Sequence, residues 1–277
     1  MIERAETQTA RQAGVRDDAK TMGSLLCASD PTPGIARECG AGSSFLIVCD
    51  HGGRAVPERL NQLGLPEVVF DTHIAWDIGA LGFAERLSER LGATLISQAY
   101  SRLVIDCNRD PDHPGAIPDV SDRVSIPGNV ALNPLQRAAR VAEIHAPYHA
   151  RIAAEVETRL AAGAPPLMIC AHSFTPAMQG VVRPWHVGIL HGDNSPASLA
   201  LLALLRAEDG LIVGDNEPYT MDGTDYTAPT HAWARGLDVL ELEIRQDLLA
   251  RADGQQRFAD LFARLLPRLH LRRQDPS

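Results

Sequence analysis

Apolar residues in this chain come in short runs that end abruptly in polar sequence. "SSFLIVCDHGG" (43–53) passes from an apolar run into Asp, His and two glycines, which predicts a buried strand entering a loop. "PPLMICAHSF" (165–174) has the same form. "ATLISQAYSRLVIDCNRD" (93–110) reads as two strands joined near Tyr100 and Ser101. Between these runs the spacing is helical: 77–92, closed by Gly92; 133–163, with a break before Pro147; and an amphipathic stretch at 254–273. Shorter strands are expected near 186–190 and 211–214, with a helix at 196–209. Strands alternating with helices predict a single α/β domain, its mixed, mostly parallel sheet covered by helices on both faces.

"DVLELEIRQD" (238–247) has a different pattern. Leu240, Leu242 and Ile244 alternate with Glu241, Glu243 and Arg245. A side-chain period of two puts the apolar residues on one face and the charged ones on the other. Taken alone, the segment reads first as an edge strand with a solvated face. The competing reading is a strand that carries an acid into an active site.

Residues 1–40 are polar and end near Pro31, Pro33 and Gly34, so they are expected to form a mobile leader or irregular arm, with the domain at 41–277. Residues 110–134 hold five prolines and form a long loop of the kind that often serves function. No internal repeat or linker divides the chain. The formal charge of −9 argues against nucleic acid or an anionic membrane as partner. No apolar run reaches the length of a membrane span, and the N-terminus lacks the apolar core of a signal peptide. Five cysteines, an odd number with no CxxC, fit a reducing compartment, so the expected location is the cytoplasm.

In open α/β sheets ligands bind at the carboxyl ends of strands. Asp50, His51, Asn108, Arg109, His172 and Ser173 follow such ends and are expected to converge on one crevice. Two histidines and a carboxylate suit Zn²⁺, whose catalytic sites use three protein ligands. Each histidine by itself reads rather as a loop residue bonded to backbone, and only the repetition of the pattern across strands brings the ligand reading level with it. Ser173 beside His172 lacks the G-x-S-x-G context of a nucleophile.

Taken in order, "CDHGGRAVP", "DTHIAWDIGA", "YSRLVIDCNRD", "PYH" (147–149), "CAHSF", "THA" (230–232) and "LELEIRQD" resemble the motifs of the N-formylglutamate amidohydrolase family, a relative of the zinc carboxypeptidases. The likeness covers roughly residues 45–250. It implies one Zn²⁺ per chain and hydrolysis of a linear amide on a small-molecule N-acyl amino acid, nominally N-formyl-L-glutamate. It places His51 and His172 at ligand positions and Glu243 at that of the general base, with Glu241 as its rival. The third ligand is Asp77, with Asp71 and His73 as alternatives; Asp77 also reads as a simple helix cap. Arg54 stands where carboxypeptidases have a ligating glutamate, and an arginine cannot bind a cation. Asn108 and Arg109 match a pair that holds a substrate carboxylate. Arg102 is placed to bind a second carboxylate or polarise the scissile carbonyl. Ser173, Tyr219 or Tyr226, and His231 complete the substrate-binding set. The segment "NEPYTMDGTDY" departs from the Gly-rich stretch of the deformylases. This leaves a carboxypeptidase-like or other acyl-amino-acid amidase as a rival, and a metal-free binding protein on the same fold as a second.

Overall fold

The computed structural model describes residues 23–274, apart from 39–41, 193–194 and 222. Seven strands build the main sheet: β1 (Ile35–Arg37), β2 (Phe45–Cys49), β3 (Thr94–Ser97), β4 (Leu167–Phe174), β5 (Val187–Leu190), β6 (Val213–Asp215) and β7 (Val239–Arg245). Their spatial order is β1-β3-β2-β4-β7-β5-β6. Neighbours run parallel except at β1–β3 and β7–β5. Every residue of β2, β3, β4 and β5 is buried, which is why these strands read as unbroken apolar runs.

The alternating segment is not at an edge. β7 lies between β4 and β5, with Glu241 3% and Glu243 6% exposed. Its two faces meet two different cores. Leu240, Leu242 and Ile244 pack with Phe83 of α1 (Ala80–Leu91), Leu201 of α4 (Pro196–Arg206), and Phe258 and Phe262 of α6 (Ala252–Gln274). On the other face Leu46, Val48, Met168, Cys170 and Val239 pack under Tyr148, Ile152 and Val156 of α3 (Ala146–Ala161) and Ala228 of α5 (Thr227–His231). The period of two then extends this second face to Asp50 after β2, His172 in β4 and Glu243 in β7. Pairing sets Glu243 directly beside His172.

Two other expectations change. Residues 102–109 are not a strand: the chain turns after β3, the Ser101 hydroxyl accepting from Leu103 N (3.2 Å) and Asp106 Oδ1 from Asn108 N (2.9 Å). Such side-chain acceptors compete with a ladder. The run is apolar because Leu103, Val104 and Ile105 enter a third core cluster with Phe70, Tyr100 and Ile144. Nor does the helix break before Pro147. α2 (Pro134–Arg140) passes through a π-helical turn, Val141–His145, into α3. The widened turn accommodates a residue with no N–H to give.

Part of the polar arm is built into the fold. β1 pairs with β3, and the Tyr100 hydroxyl donates to Pro31 O at 2.5 Å. The leader before residue 23 lies outside the described residues, as does Cys39; Cys27, Cys49, Cys107 and Cys170 are free thiols. Among the described residues no helix is long and apolar enough to cross a membrane.

Arg140 is 1% exposed and donates to Val104 O (2.8 Å), Asn129 Oδ1 (2.6 Å) and Gly128 O (2.9 Å). It ties the Pro-rich loop to the segment that carries Asp106–Arg109. Arg140→Met keeps most of the volume but strands these buried acceptors, so it should cost ~3 kcal/mol of stability. Urea unfolding checks this, and a midpoint equal to wild type would show that the acceptors find other partners.

Candidate metal centre and active-site crevice

The loop after β2 turns sharply at Gly53. A Cβ there would lie 1.9 Å from Ala99 O, so only glycine allows Ala55 N to reach that carbonyl at 3.1 Å. This turn returns His51 over the sheet, where Asp77 N donates to His51 O at 3.0 Å. Asp77 does not cap α1: the residue preceding the helix is Gly79, and no side chain caps it. The Asp77 carboxylate points instead at the two histidines. Its Oδ2 lies 3.4 Å from His51 Nδ1 and 3.0 Å from His172 Nδ1.

His51, Asp77 and His172 form, among the described residues, a buried group with one ligand atom from each within 4.8 Å of the others. His51 Nδ1 is buried and has no hydrogen-bond partner. Two imidazoles and a carboxylate are the donor set of a catalytic zinc site, so the residues fit such an ion. The outer nitrogens also fit. His51 Nε2 is 2.7 Å from Asp106 Oδ1, and His172 Nε2 is 3.4 Å from Asp50 Oδ2. A carboxylate behind each ligating imidazole fixes its ring and raises its basicity.

Those carboxylates are themselves held. Asp106 Oδ2 accepts from Arg102 Nε (3.1 Å) and Nη2 (2.6 Å). Asp50 Oδ1 accepts from the Tyr148 hydroxyl (2.8 Å) and Thr227 Oγ1 (2.7 Å). Burial alone would raise the Asp50 pKa, but the imidazole of His172, 3.4 Å away, brings it down to about 2. Burial alone would lower that of His172, but Asp50 and Asp77 push it well up. A Zn²⁺ held by these residues would displace the proton of the ligating nitrogen of each imidazole and leave the other. Asp50 is expected near the crevice but with no task of its own, and Asp106 is not among the expected residues; the structure puts one behind each histidine. The parity of β2 pointed to Asp50; nothing local pointed to Asp106. Asp106→Asn should weaken metal binding ~10–100-fold without removing a ligand. Competition with a fluorescent zinc chelator measures this, and unchanged affinity would deny Asp106 that supporting role.

The group sits in a crevice of about 390 Å³ that Arg102, Asn108, Arg109, Ser173, Tyr219, Glu241 and Glu243 also line. Glu243 Oε2 is buried and unpaired. Burial raises the Glu243 carboxyl well above its ordinary range, against the pull of His172. Arg109 Nη1 reaches Asn108 O (3.1 Å) and Asp225 Oδ1 (3.4 Å), and its other guanidinium donors have no partner among the described residues.

Other expected residues are engaged elsewhere. Asn108 Oδ1 accepts from Tyr226 N and Thr227 N, each at 3.0 Å, and its amide donates to Asp225 (3.2 Å), so it positions the 225–227 loop. The Ser173 hydroxyl donates to Ile78 O at 3.0 Å. The Tyr219 hydroxyl accepts from Arg183 (3.0 Å), which leaves its own proton for a ligand. His231 does not line the crevice: it lies 2.9 Å from His149, whose Nε2 donates to Cys107 O at 2.8 Å, so the pair braces the 107–109 turn. Asp71 pairs with Arg54, and His73 faces Asp122 at the rim, 3.3 Å away; neither joins the buried group.

The family model for N-formylglutamate amidohydrolase matches residues 43–250. A gene product of Agrobacterium tumefaciens with a known crystal structure is 35% identical, with a TM-score of 0.87 over 91% of this chain and 100% of its own. The crystal structure of N-formylglutamate amidohydrolase from Ralstonia eutropha JMP134 is 20% identical, with a TM-score of 0.63 over 88% of this chain and 99% of its own, and shares the fold. None of the curated proteins compared matches. The match over most of the chain and the identity with the Agrobacterium protein make this chain a member of the N-formylglutamate amidohydrolase family.

Proposed function

We propose that this chain is a zinc-dependent amidohydrolase that cleaves the amide of N-acyl amino acids, with N-formyl-L-glutamate as the reference substrate. The observation that carries the reading is the register of β4 and β7, which sets the unpaired Glu243 beside His172 of the ligand group. Membership of the family makes it a hydrolase of amides. A Zn²⁺ held by His51, Asp77 and His172 would supply Lewis acidity, making water easier to deprotonate and the acyl carbonyl easier to attack.

The chain's own groups do the rest. The spare donors of Arg109 bind the substrate's α-carboxylate and aim the amide at Glu243. Glu243 takes a proton from the attacking water and returns it to the departing nitrogen. Its high pKa suits both halves, because a carboxyl near neutrality loses and regains a proton readily. The carboxylate and the free amino acid then leave. Tyr219, at the crevice mouth, donates to the acyl oxygen or to the substrate's carboxylate.

The test is release of free amine from N-formyl, N-acetyl and N-carbamoyl amino acids by purified enzyme. Activity removed by a chelator and restored by zinc supports the reading. A metal-replete enzyme that hydrolyses none of the panel overturns it.

A further inference from the structure

Arg183 is a cation that the chemistry above leaves without a task. A small hairpin, Ala177–Met178 paired with Val181–Val182, turns the chain back on itself, and Arg183 N donates to Pro176 O at 2.9 Å. The return brings the Arg183 guanidinium over the ring of Tyr219, 4.8 Å from its centroid. Among the described residues no carboxylate lies within ion-pair distance of it. Its Nη1 donates instead to two hydroxyls, Thr175 Oγ1 and Tyr219 Oη, each at 3.0 Å.

Thr175 and Tyr219 both line the crevice. Thr175 is buried just beyond β4, the strand of His172, and Tyr219 follows β6. Each accepts from the same guanidinium nitrogen, so the two oxygens are neighbours, and each keeps its own proton. Among the described residues neither donates that proton to the protein. Accepting from a cation polarises an O–H and strengthens it as a donor. Two such donors with an unneutralised guanidinium behind them make a receptor for an anion. Arg109 reaches the crevice from the β3 side of the sheet and Tyr219 from the β6 side, with β2, β4 and β7, the strands that position His51, His172 and Glu243, between them. Arg102 Nη1 also keeps free donors, but two buried carboxylates already face that guanidinium, Asp106 at 2.6 Å and Asp77 at 3.6 Å. A second anion therefore gains more at Arg183.

We propose that Thr175, Tyr219 and Arg183 form a subsite for a second substrate carboxylate, the one on the side chain of the N-acyl amino acid. This rests on the amidohydrolase reading above and names the residues that would tell a glutamate side chain from a glutamine one. The two hydroxyls donate to the carboxylate. Arg183 is a positioning residue: it does not line the crevice itself, but it aims both hydroxyls and supplies the countercharge. The α-carboxylate stays on Arg109, and the amide lies between the two sites at Glu243. A neutral side-chain amide meets the same hydroxyls without the gain from charge.

The test compares N-formyl-L-glutamate with N-formyl-L-glutamine, which differ only at that carboxylate. The zinc-loaded enzyme gives kcat/KM, and zinc-loaded Glu243→Gln, in which turnover should be too slow to interfere, gives affinity by calorimetry. The glutamate compound should lead by at least ~10-fold in both. Arg183→Met should bring that ratio to within about threefold, chiefly through KM, and Arg183→Lys should recover part of it because the charge returns. Tyr219→Phe, which removes one of the two donors, should lower the ratio as well. No preference for the glutamate compound overturns the inference. So does a ratio that survives both Arg183→Met and Tyr219→Phe, which would give the carboxylate to Arg102. The unsubstituted subsite and Tyr219→Phe decide even if Arg183→Met does not fold. Selective binding of the glutamate compound without hydrolysis, weakened by the same substitutions, supports the subsite and sinks the hydrolytic reading; hydrolysis without that preference does the reverse.

Discussion

Glu243→Gln should lose about 10³-fold in kcat while keeping its metal, its fold and its affinity for substrate, because removing a positioned general base typically costs ~10²–10⁴-fold. Glutamine keeps the shape and a carbonyl acceptor but cannot accept and return a proton at neutral pH. The ligand group is untouched, since His51, Asp77 and His172 come from other parts of the chain. The stability cost should be small or even negative, because burial disfavours the ionised carboxylate at this position. Steady-state kinetics with metal analysis on the same sample decide it. A loss below tenfold would move the proton transfer elsewhere, Glu241 being the next carboxyl on that face.

The contrast between Glu243 and Glu241 shows what a pattern alone conveys. Alternation in 239–245 identified a strand and divided its residues between two faces, and the structure keeps that division. It did not say whether the charged face met water, because an edge strand and a central strand beside a crevice both alternate. The deciding facts are non-local: β7 sits between β4 and β5, and its acids have Met168, Cys170 and His172 of β4 beside them. The parity of 46, 48 and 50 in β2 had the same legibility and pointed Asp50 at the second core face. The apolar run 103–105 misled for a related reason. Burial on every side produces an apolar sequence whether the backbone is extended or turned, and only the acceptors Ser101 and Asp106 marked the turn. Asp106 behind His51 and the His149–His231 brace join residues 55 and 82 positions apart, so no local spacing revealed either contact.

Removing one ligand should remove the metal. His172→Ala is expected to retain less than about a tenth of the zinc of wild type, because a two-ligand remnant no longer encloses the ion and metal affinity is cooperative across the set. Activity should fall with occupancy, by at least ~10³-fold, and zinc added back should restore chelator-stripped wild type but not the variant. The variant also loses the imidazole that offsets two buried acids, since His172 lies 3.0 Å from Asp77 and 3.4 Å from Asp50. Its thermal midpoint should therefore drop, and His172→Gln, which keeps a donor near those acids, should recover part of the midpoint while still lacking metal. Asp71→Ala is the matched control: it breaks only the surface pair with Arg54 and should hold zinc as wild type does. Elemental analysis of the three proteins purified without chelator reads all of this directly. Zinc retained at one per chain in His172→Ala would show that the ion is bound elsewhere, and zinc lost from Asp71→Ala would return the third ligand to the segment before Asp77.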